Sequence, residues 1–350
     1  MKPVGRLWKN LIFRTVLLLF GGMVLTGCIY EYPVPEGSKG DGRNPETVTT
    51  YLEIICEVSW ERLLHKVDFS TKALPLGSHR VVIEVRDEAL GTINSGDGKV
   101  VRDIVYLDDE EFAKGKIRHR LSLPLNKARY EVAVWYDKSD EDGEYYFEAS
   151  DLNGIRFLKH TTFNHELYTC AYGSSTLDLT NSETENSDGS VVKEITLEHP
   201  GARFEIVATD VQEFITQQKA ALMQDDRFTA NMNFRGDRNS GFNVFEGRPS
   251  TGNSQLKLSG WMRLPYDEYD ELVIAQGFLF CGEGEETAEA ELSVTNTALM
   301  TVSRTDFFTF PIKRGQITVV SGDFLTHPVD GVFEINSIWA GEMYFEYGNE

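Results

Sequence analysis

The feature that most constrains the fold of this chain is a succession of short apolar or alternating runs, each ended by a turn signal. Alternation of apolar and polar residues with a period of two is typical of β-strands that bury one face. Gly, Asp and Asn between the runs supply the backbone geometry of turns. We therefore predict mostly antiparallel strands at Thr49–Ser59, His79–Arg86, Val100–Leu107, Lys116–Leu125, Ala128–Tyr136, Val191–Leu197, Ala202–Ala208, Gln255–Leu264, Glu271–Cys281, Ala288–Thr295, Phe307–Pro311, Gln316–Thr326 and Val332–Tyr347.

A helical period is persuasive in one segment, Val211–Met223, with Asp210 placed as its N-cap. A length of 350 residues is enough for two domains. Because strand follows strand without regular alternation with helices, we predict an all-β protein. It consists of two tandem β-sandwiches, at 47–195 and 196–350, with one or two short helices.

The first 27 residues have the pattern of a lipoprotein signal peptide. Their charged side chains are all basic, and the uncharged run Thr15–Thr26 that follows is too short to span a bilayer. This run ends in a lipobox made of Leu25, Thr26, Gly27 and Cys28. Small residues let a peptide enter a signal peptidase, and the thiol accepts the lipid. We predict that 1–27 is removed and that Cys28 becomes a lipid-attached N-terminus carrying acyl chains such as palmitate. The alternative is a plain secretory signal with a chance cysteine.

Residues 28–46 are rich in Pro, Gly and polar side chains, which predicts a flexible tether between the lipid and the folded body. The chain has a formal net charge of -21. Such an excess of negative charge repels nucleic-acid phosphates and anionic lipid headgroups. We therefore predict no nucleic-acid partner, and attachment to the outer membrane through the lipid alone.

Three further cysteines, Cys56, Cys170 and Cys281, lie in apolar stretches. An odd number cannot pair completely within one chain, although an exported protein is permitted disulfides. We interpret the three as small buried hydrophobic residues.

Motifs of catalysis are missing from the sequence. His160 and His165 do not have the spacing of a zinc site. The acidic run Asp137–Glu144 lacks the first and last ligands of a calcium-binding loop. Nucleophile elbows, phosphate-binding loops and dinucleotide fingerprints are also missing. The sequence therefore predicts a protein that is not an enzyme and has no metal and no cofactor.

Six segments resemble the Bacteroidales fimbrillin superfamily, and above all its FimB-like lipoprotein members. The resemblance covers most of the mature chain, and its motifs mark strands and turns. The segments are Tyr130–Tyr136, Tyr145–Phe157, Pro200–Phe214, Gly241–Pro249, Phe310–Thr326 and Trp339–Glu342.

This resemblance implies two tandem transthyretin-like β-sandwiches, lipoprotein export, and a role as a pilus subunit or anchor. In stalk members of that family, a trypsin-like protease cuts after an arginine and removes an N-terminal strand. The open groove then accepts a strand from the next subunit, whose backbone satisfies the exposed sheet edges. Anchor members keep the lipid and are not cut in this way.

Two arginines are candidates for such processing. Arg43 lies in the tether, and Arg62 follows the first predicted strand, so a cut after Arg62 removes that strand with the lipid. Both are equally compatible with ordinary surface arginines. The C-terminal run Val332–Tyr347 is either a donor strand or the last strand of its own sandwich.

The sequence thus favours a surface-exposed outer-membrane lipoprotein that acts as a fimbrial anchor or accessory subunit, with homologous fimbrial subunits as partners. The alternative is a surface glycan-binding lipoprotein. That function would use exposed aromatic residues such as Trp60, Trp135 or Tyr145 to stack on sugar rings.

Overall fold

The computed structural model describes most of the chain after the predicted tether. The described residues are 47–58, 79–89, 98–139, 143–158, 169–180, 186, 189–218, 227–236, 240–250, 256–264, 271–326, 336–337 and 344–347.

These residues form strands and two short helices, which confirms the all-β prediction. The helices are α1 (Asp109–Phe112) and α2 (Val211–Gln217). The strands are β1 (Thr47–Ile55), β2 (His79–Asp87), β3 (Lys99–Leu107), β4 (Lys116–Arg120), β5 (Leu125–Asn126), β6 (Arg129–Lys138), β7 (Phe147–Glu148), β8 (Ile155–Phe157), β9 (Cys170–Asp178), β10 (Ser190–Thr196), β11 (Gly201–Ala208), β12 (Arg227–Phe234), β13 (Gly241–Asn243), β14 (Arg248–Ser250), β15 (Lys257–Arg263), β16 (Leu272–Phe280), β17 (Glu285–Asn296), β18 (Thr301–Arg304), β19 (Phe308–Lys313), β20 (Ile317–Gly322), β21 (Asn336–Ser337) and β22 (Tyr344–Tyr347).

Within the described ranges the strands assemble into five sheets. Three of them have the orders β3-β2-β6-β9, β14-β13-β8-β7 and β16-β11-β20-β22-β21. A fourth has the order β10-β1-β4, with β5 also pairing with β1, and the fifth has the order β15-β12-β17-β18, with β19 also pairing with β17.

Most neighbouring strands are antiparallel, as the alternating pattern predicts, but three pairs are parallel. β1 runs parallel to β10, β11 to β20, and β20 to β22. The strands of each pair are separated by other elements along the chain, so tight turns cannot join them. Parallel pairing requires such long connections. A local sequence pattern carries no information about it.

Two hydrophobic clusters form the core. The first contains residues between Val48 and Leu197 and fills the space between the sheets β10-β1-β4 and β3-β2-β6-β9. The second contains Val82 and Trp135 from the other face of β3-β2-β6-β9, together with side chains from Ala202 onward. The sheet β3-β2-β6-β9 is therefore buried on both faces, which explains the nearly continuous burial of β2 and β6.

Arg314 connects elements on either side of the predicted domain boundary. It lies in the turn between β19 and β20, followed by Gly315 at φ +74°. Its guanidinium donates to the hydroxyl of Tyr172 on β9 (2.5 Å), to the carbonyl of Gly247 (2.6 Å) and to the carbonyl of Cys281 (2.9 Å). Pro45–Glu350 forms one compact unit. The division at residue 195 stays a prediction.

The second helix begins at the predicted residue but differs in its cap and its end. It ends at Gln217 and not at Met223, and Ala221 and Leu222 lie outside the described residues. Asp210 occupies the N-cap position without a side-chain bond to the helix. Its carboxylate instead accepts from the backbone N–H groups of Leu325 and Thr326, at 2.8 and 2.6 Å. Asp210 therefore fixes the segment that follows β20 against the start of α2.

Candidate functional site

The strand β1 is enclosed on both edges. It pairs parallel with β10 from Thr49 to Ile55 and antiparallel with β4 from Tyr51 to Ile55. Thr47 and Val48 pair with β5. Backbone bonds just outside these ladders continue the pairing, since the Cys56 N–H donates to the Gly115 carbonyl at 2.7 Å. Removing β1 would therefore leave two rows of backbone groups without partners.

Every second side chain of β1 points into the first hydrophobic cluster. Val48, Leu52, Ile54 and Cys56 are each no more than 2% exposed. They share this cluster with Val81, Ile83 and Val85 of β2 and with side chains of β6. Burying the aliphatic side chains at 48, 52 and 54 contributes on the order of 5 to 9 kcal/mol. Without β1, the sheet would contain a long apolar groove.

Thr50 is the polar member of this buried face. It is 1% exposed, and its hydroxyl has no hydrogen-bond partner among the described residues. The backbone carbonyl of Thr50 does accept a hydrogen bond, from the N–H of Leu121 at 3.1 Å. The backbone carbonyl of Thr50 thus has a hydrogen bond, whereas its hydroxyl has none among the described residues.

Side chains on the outer face also bind β1 to its neighbours. Lys116 on β4 pairs with Glu53 on β1 and, at 3.2 Å, with Glu194 on β10. The hydrogen bond from Lys116 lowers the pKa of the Glu53 carboxyl. Arg118 lies 4.6 Å from the centre of the Tyr51 ring. β1 is therefore held by backbone, core and surface contacts together.

The three cysteines of the body are free and buried, as predicted. Burial raises the pKa of the Cys56 thiol to about 11 and that of Cys281 to about 12. The pKa of Cys170, which is also buried, is raised in the same way. Neutral thiols of this kind are poor nucleophiles. All three act as packing residues.

A cluster of titratable side chains joins α1 to β2 and β6. His79 Nε2 lies 2.7 Å from the Asp109 carboxylate, and His79 Nδ1 lies 2.8 Å from the Tyr136 hydroxyl. Burial lowers the pKa of His79, so the ring is neutral at pH 7. The tautomer that satisfies both bonds has its proton on Nε2. Lys138 supplies the cation, 2.8 Å from Asp109. With Phe112 stacked on His79 at 4.2 Å, the cluster is a structural link.

The structure describes two of the three aromatic residues predicted to be exposed. Trp135 is 0% exposed, because it packs against Phe147 in the second cluster, so its prediction as a surface residue is wrong. Tyr145 is half-buried, and the guanidinium of Arg80 covers one face of its ring at 3.9 Å. Trp60 lies outside the described residues.

Trp261 on β15 is an exposed aromatic residue that the sequence pattern did not single out. Trp261 is 75% exposed to solvent. It pairs with Thr229, which in turn pairs with Thr295, so it lies on a polar sheet face. The sequence does contain a signal for this exposure. Leu258 and Met262 are buried and are four residues apart, so they share one face of the strand, and Trp261 falls on the opposite face.

Several predicted sites lie outside the described residues. These are the signal peptide and tether, the two histidines, and the predicted lipid and processing residues Leu25, Thr26, Gly27, Cys28, Arg43 and Arg62. Their roles stay predictions. In the described part of the chain, no group of three or more His, Cys, Asp and Glu side chains is placed to hold a metal ion. None of the helices described there has the length and hydrophobicity to cross a membrane.

Part of the C-terminal run Val332–Tyr347 pairs within its own chain. β22 lies parallel to β20 from Val319 to Gly322 and antiparallel to β21. Within the described part of this run, Asn336–Ser337 and Tyr344–Tyr347 pair in the chain's own sheet, and the donor-strand alternative stays a prediction.

Comparison with protein families gives one match. A model described as "Family of unknown function (DUF6562)" matches residues 75–350. The chain belongs to this family. The matched part of this DUF6562 protein contains β2 to β22 and does not include β1. Comparison with curated proteins gave no match.

Solved structures similar to this DUF6562 protein include three from Bacteroidales. The fimbrial anchor protein Mfa2 from Porphyromonas gingivalis is 13% identical, with 74% of this chain and 82% of that chain covered and a TM-score of 0.38. A fimbrial assembly protein from Parabacteroides distasonis is 9% identical, with 79% and 91% covered and a TM-score of 0.33. A protein proposed to bind polysaccharide, from Bacteroides thetaiotaomicron, is 12% identical, with 73% and 79% covered and a TM-score of 0.38. Similarity at this level does not assign a function.

Proposed function

We propose that this protein is a non-enzymatic lipoprotein of the outer membrane that serves as a fimbrial anchor or accessory subunit. Its lipid is attached at Cys28, and its contacts with homologous subunits are made by strand exchange at the groove that β1 occupies. The observation that carries the proposal is the enclosed position of β1, with paired backbone on both edges and three of its own apolar side chains, Val48, Leu52 and Ile54, buried in the first hydrophobic cluster.

The position of β1 distinguishes the two predicted processing sites. A cut after Arg43 leaves β1 attached to the body, because the strand begins at Thr47. A cut after Arg62 separates β1 from β2, so that the strand is held by noncovalent contacts alone. Only the second cut turns the groove into an acceptor for another strand.

The test uses two mature chains, with a specific protease site introduced at position 62 or at position 43. After cleavage, a fluorescent peptide with the sequence of residues 47–58 is added and its incorporation is measured by size-exclusion chromatography. We expect incorporation after the cut at 62 and none after the cut at 43, which is the matched control. Equal behaviour of the two chains would contradict strand exchange at β1. In cells, subunits joined by exchanged strands should appear as a ladder on unboiled gels.

Surface glycan binding is the second candidate function, and Trp261 is the observation that favours it. Its exposed indole lies on the same sheet face as its register partner Thr229 on β12 and as Thr295, the register partner of Thr229 on β17. The hydroxyl groups of these threonines suit the hydroxyl groups of a sugar ring. We expect Trp261→Ala to abolish retardation in polysaccharide gels if this function is correct. Met300→Ala is the control, since Met300 is also exposed, at 60%, but is not aromatic. Equal mobility of wild type and Trp261→Ala in every polysaccharide would exclude a glycan site at Trp261.

A further inference from the structure

Thr50 differs from the other side chains on the buried face of β1. Its neighbours on that face, Val48, Leu52 and Ile54, are aliphatic. Thr50 is equally buried, yet its hydroxyl has no hydrogen-bond partner in the described part of the chain. Burial of an unpaired hydroxyl is unfavourable, because the group loses its bonds to water and gains none in return.

Three other buried hydroxyl groups in the described part of the chain have hydrogen-bond partners. The hydroxyl of Thr318 donates to the carbonyl of Pro311 at 2.8 Å, and that of Ser303 donates to the carbonyl of Phe324 at 2.9 Å. The hydroxyl of Thr305 accepts from the N–H of Leu292 at 2.8 Å. The fold therefore provides partners for buried hydroxyl groups in these strands. The unpaired hydroxyl, that of Thr50, belongs to β1, which is the strand that must leave its groove in the proposed strand exchange.

Valine has nearly the same shape as threonine and no hydroxyl group. The cluster around β1 is built from side chains such as Val81, Ile83 and Val85, which offer contacts to a methyl group and no hydrogen bond to a hydroxyl. A strand with valine at the position of Thr50 would keep the packing and lose the desolvation cost. It would therefore fit the groove better than β1 does.

We propose that Thr50 is the specificity-determining position of the groove and makes β1 a replaceable occupant. The favoured partner is a strand of another subunit that runs parallel to β10 and antiparallel to β4. It places aliphatic side chains at the positions of residues 48, 50, 52 and 54. This inference rests on the proposed function, in which another strand takes the place of β1.

The first experiment compares three peptides of residues 47–58 in competition for the mature chain cut at position 62. One has the native sequence, one carries Thr50→Val and one carries Thr49→Val. Thr49 is half-buried on the opposite face of β1, so this control makes the same chemical change outside the core. We expect Thr50→Val to bind roughly tenfold more tightly than the native peptide. The Thr49→Val peptide should bind within about twofold of it. Equal affinity of the native and Thr50→Val peptides would overturn the inference.

A second experiment separates failure of this inference from failure of the proposed function. If none of the peptides enters the cut chain, strand exchange itself is wrong. The inference is then tested in the intact mature chain by hydrogen exchange of the β1 amides. Thr50→Val should slow their exchange by roughly tenfold relative to Thr49→Val, because removing the unpaired hydroxyl stabilises the closed strand. No difference between the two variants would show that the hydroxyl of Thr50 does not weaken β1.

Discussion

At the scale of single residues, the cations of this acidic protein act as connectors between elements. Arg80 makes a bidentate contact with the buried carboxylate of Asp137, at 2.8 and 2.6 Å. Arg314 reaches three carbonyl or hydroxyl oxygens contributed by β9, the β13–β14 turn and the end of β16. A planar guanidinium can satisfy several acceptors at once, which a lysine ammonium does with less defined geometry. The segment Phe310–Thr326 thus contains a connector that its strand pattern does not reveal.

The link between α1 and the β2–β6 pair should depend on pH. Hydrogen bonds from Lys138 and then from His79 lower the pKa of Asp109 below its ordinary value of 3.8. A lowered carboxyl pKa adds stability above the unfolded value, and this contribution is lost as the pH falls through the folded value. Asp109→Asn should therefore cost about 0.5 to 1 kcal/mol at pH 7, a small effect because the side chain is 40% exposed and screened by water.

Urea unfolding at pH 7 and pH 3 measures this effect. The difference between wild type and Asp109→Asn should shrink at pH 3, because this pH lies below the ordinary carboxyl pKa of 3.8 and the unfolded chain then binds a proton at Asp109. Glu110→Gln, on the exposed side of the same helix, is the control and should change stability less at pH 7. A difference that stays constant between the two pH values would contradict this assignment.

At the scale of elements, β9 shows how close backbone approach selects a residue. A Cβ added at Gly173 would lie 2.6 Å from the Thr196 carbonyl oxygen and 2.7 Å from Ile195 Cγ2. Neighbouring Tyr172 forms a bridge to Glu198, through hydrogen bonds of 2.8 and 2.7 Å. Glycine therefore allows β9 to approach the end of β10, although it weakens the local strand signal.

Gly173→Ala should reduce the free energy of unfolding by about 1 to 3 kcal/mol, because the added methyl group forces β9 and β10 apart. Thermal unfolding followed by circular dichroism measures the loss. Gly154→Ala is the matched control, since nothing lies within 4 Å of its Cβ position. We expect it to change stability by less than about 0.5 kcal/mol. Equal stability of the two variants would show that the sheets adjust freely at Gly173.

The sequence pattern did not predict seven of the described strands, which are β7, β8, β9, β12, β13, β14 and β18. β9 and β12 show two different reasons. β9 contains Gly173, Ser174 and Ser175 in succession, which hides it in a search for apolar alternation. β12 has a clear alternation, with Phe228, Ala230, Met232 and Phe234 buried, and was recognisable in principle. Their absence from the prediction left two central sheets incomplete. The predicted strand Lys116–Leu125 is wrong as a single strand, because β4 ends at Arg120 and the separate strand β5 begins at Leu125. Other predicted strands differ from the structure in their boundaries, because backbone pairing decides where a strand ends.

At the scale of the whole molecule, the lipid proposed at Cys28 would hold the protein at the membrane. The full chain has a formal net charge of -21, and such an excess of negative charge gains nothing from anionic headgroups. We expect Cys28→Ser to move the protein from the membrane pellet to the soluble fraction, because no acyl chain can then be attached. Ser38→Ala, in the same predicted tether, is the control and should stay in the pellet. Retention of Cys28→Ser in the pellet would contradict the anchor assignment.

The sequence by itself determined that this chain forms strands and which faces they bury, and it predicts a sorting signal in the residues before them. These properties depend on a period of two residues or on a contiguous motif, so they can be recognised locally. The sequence also placed a strand near Thr49–Ser59, close to the observed β1. It did not place that strand between β10 and β4, and it did not indicate that Trp135 is buried beneath Phe147.

Only the tertiary structure decided which strands are neighbours. β1 pairs with Ser190–Thr196, well over a hundred residues away, and most of the strands between them belong to other sheets. An alternating pattern specifies which face of a strand is buried, but it does not specify which strand pairs with it. The partner is decided when whole sheets pack against a common hydrophobic cluster. The enclosed position of β1 and the unpaired hydroxyl of Thr50 both arise from this long-range closure.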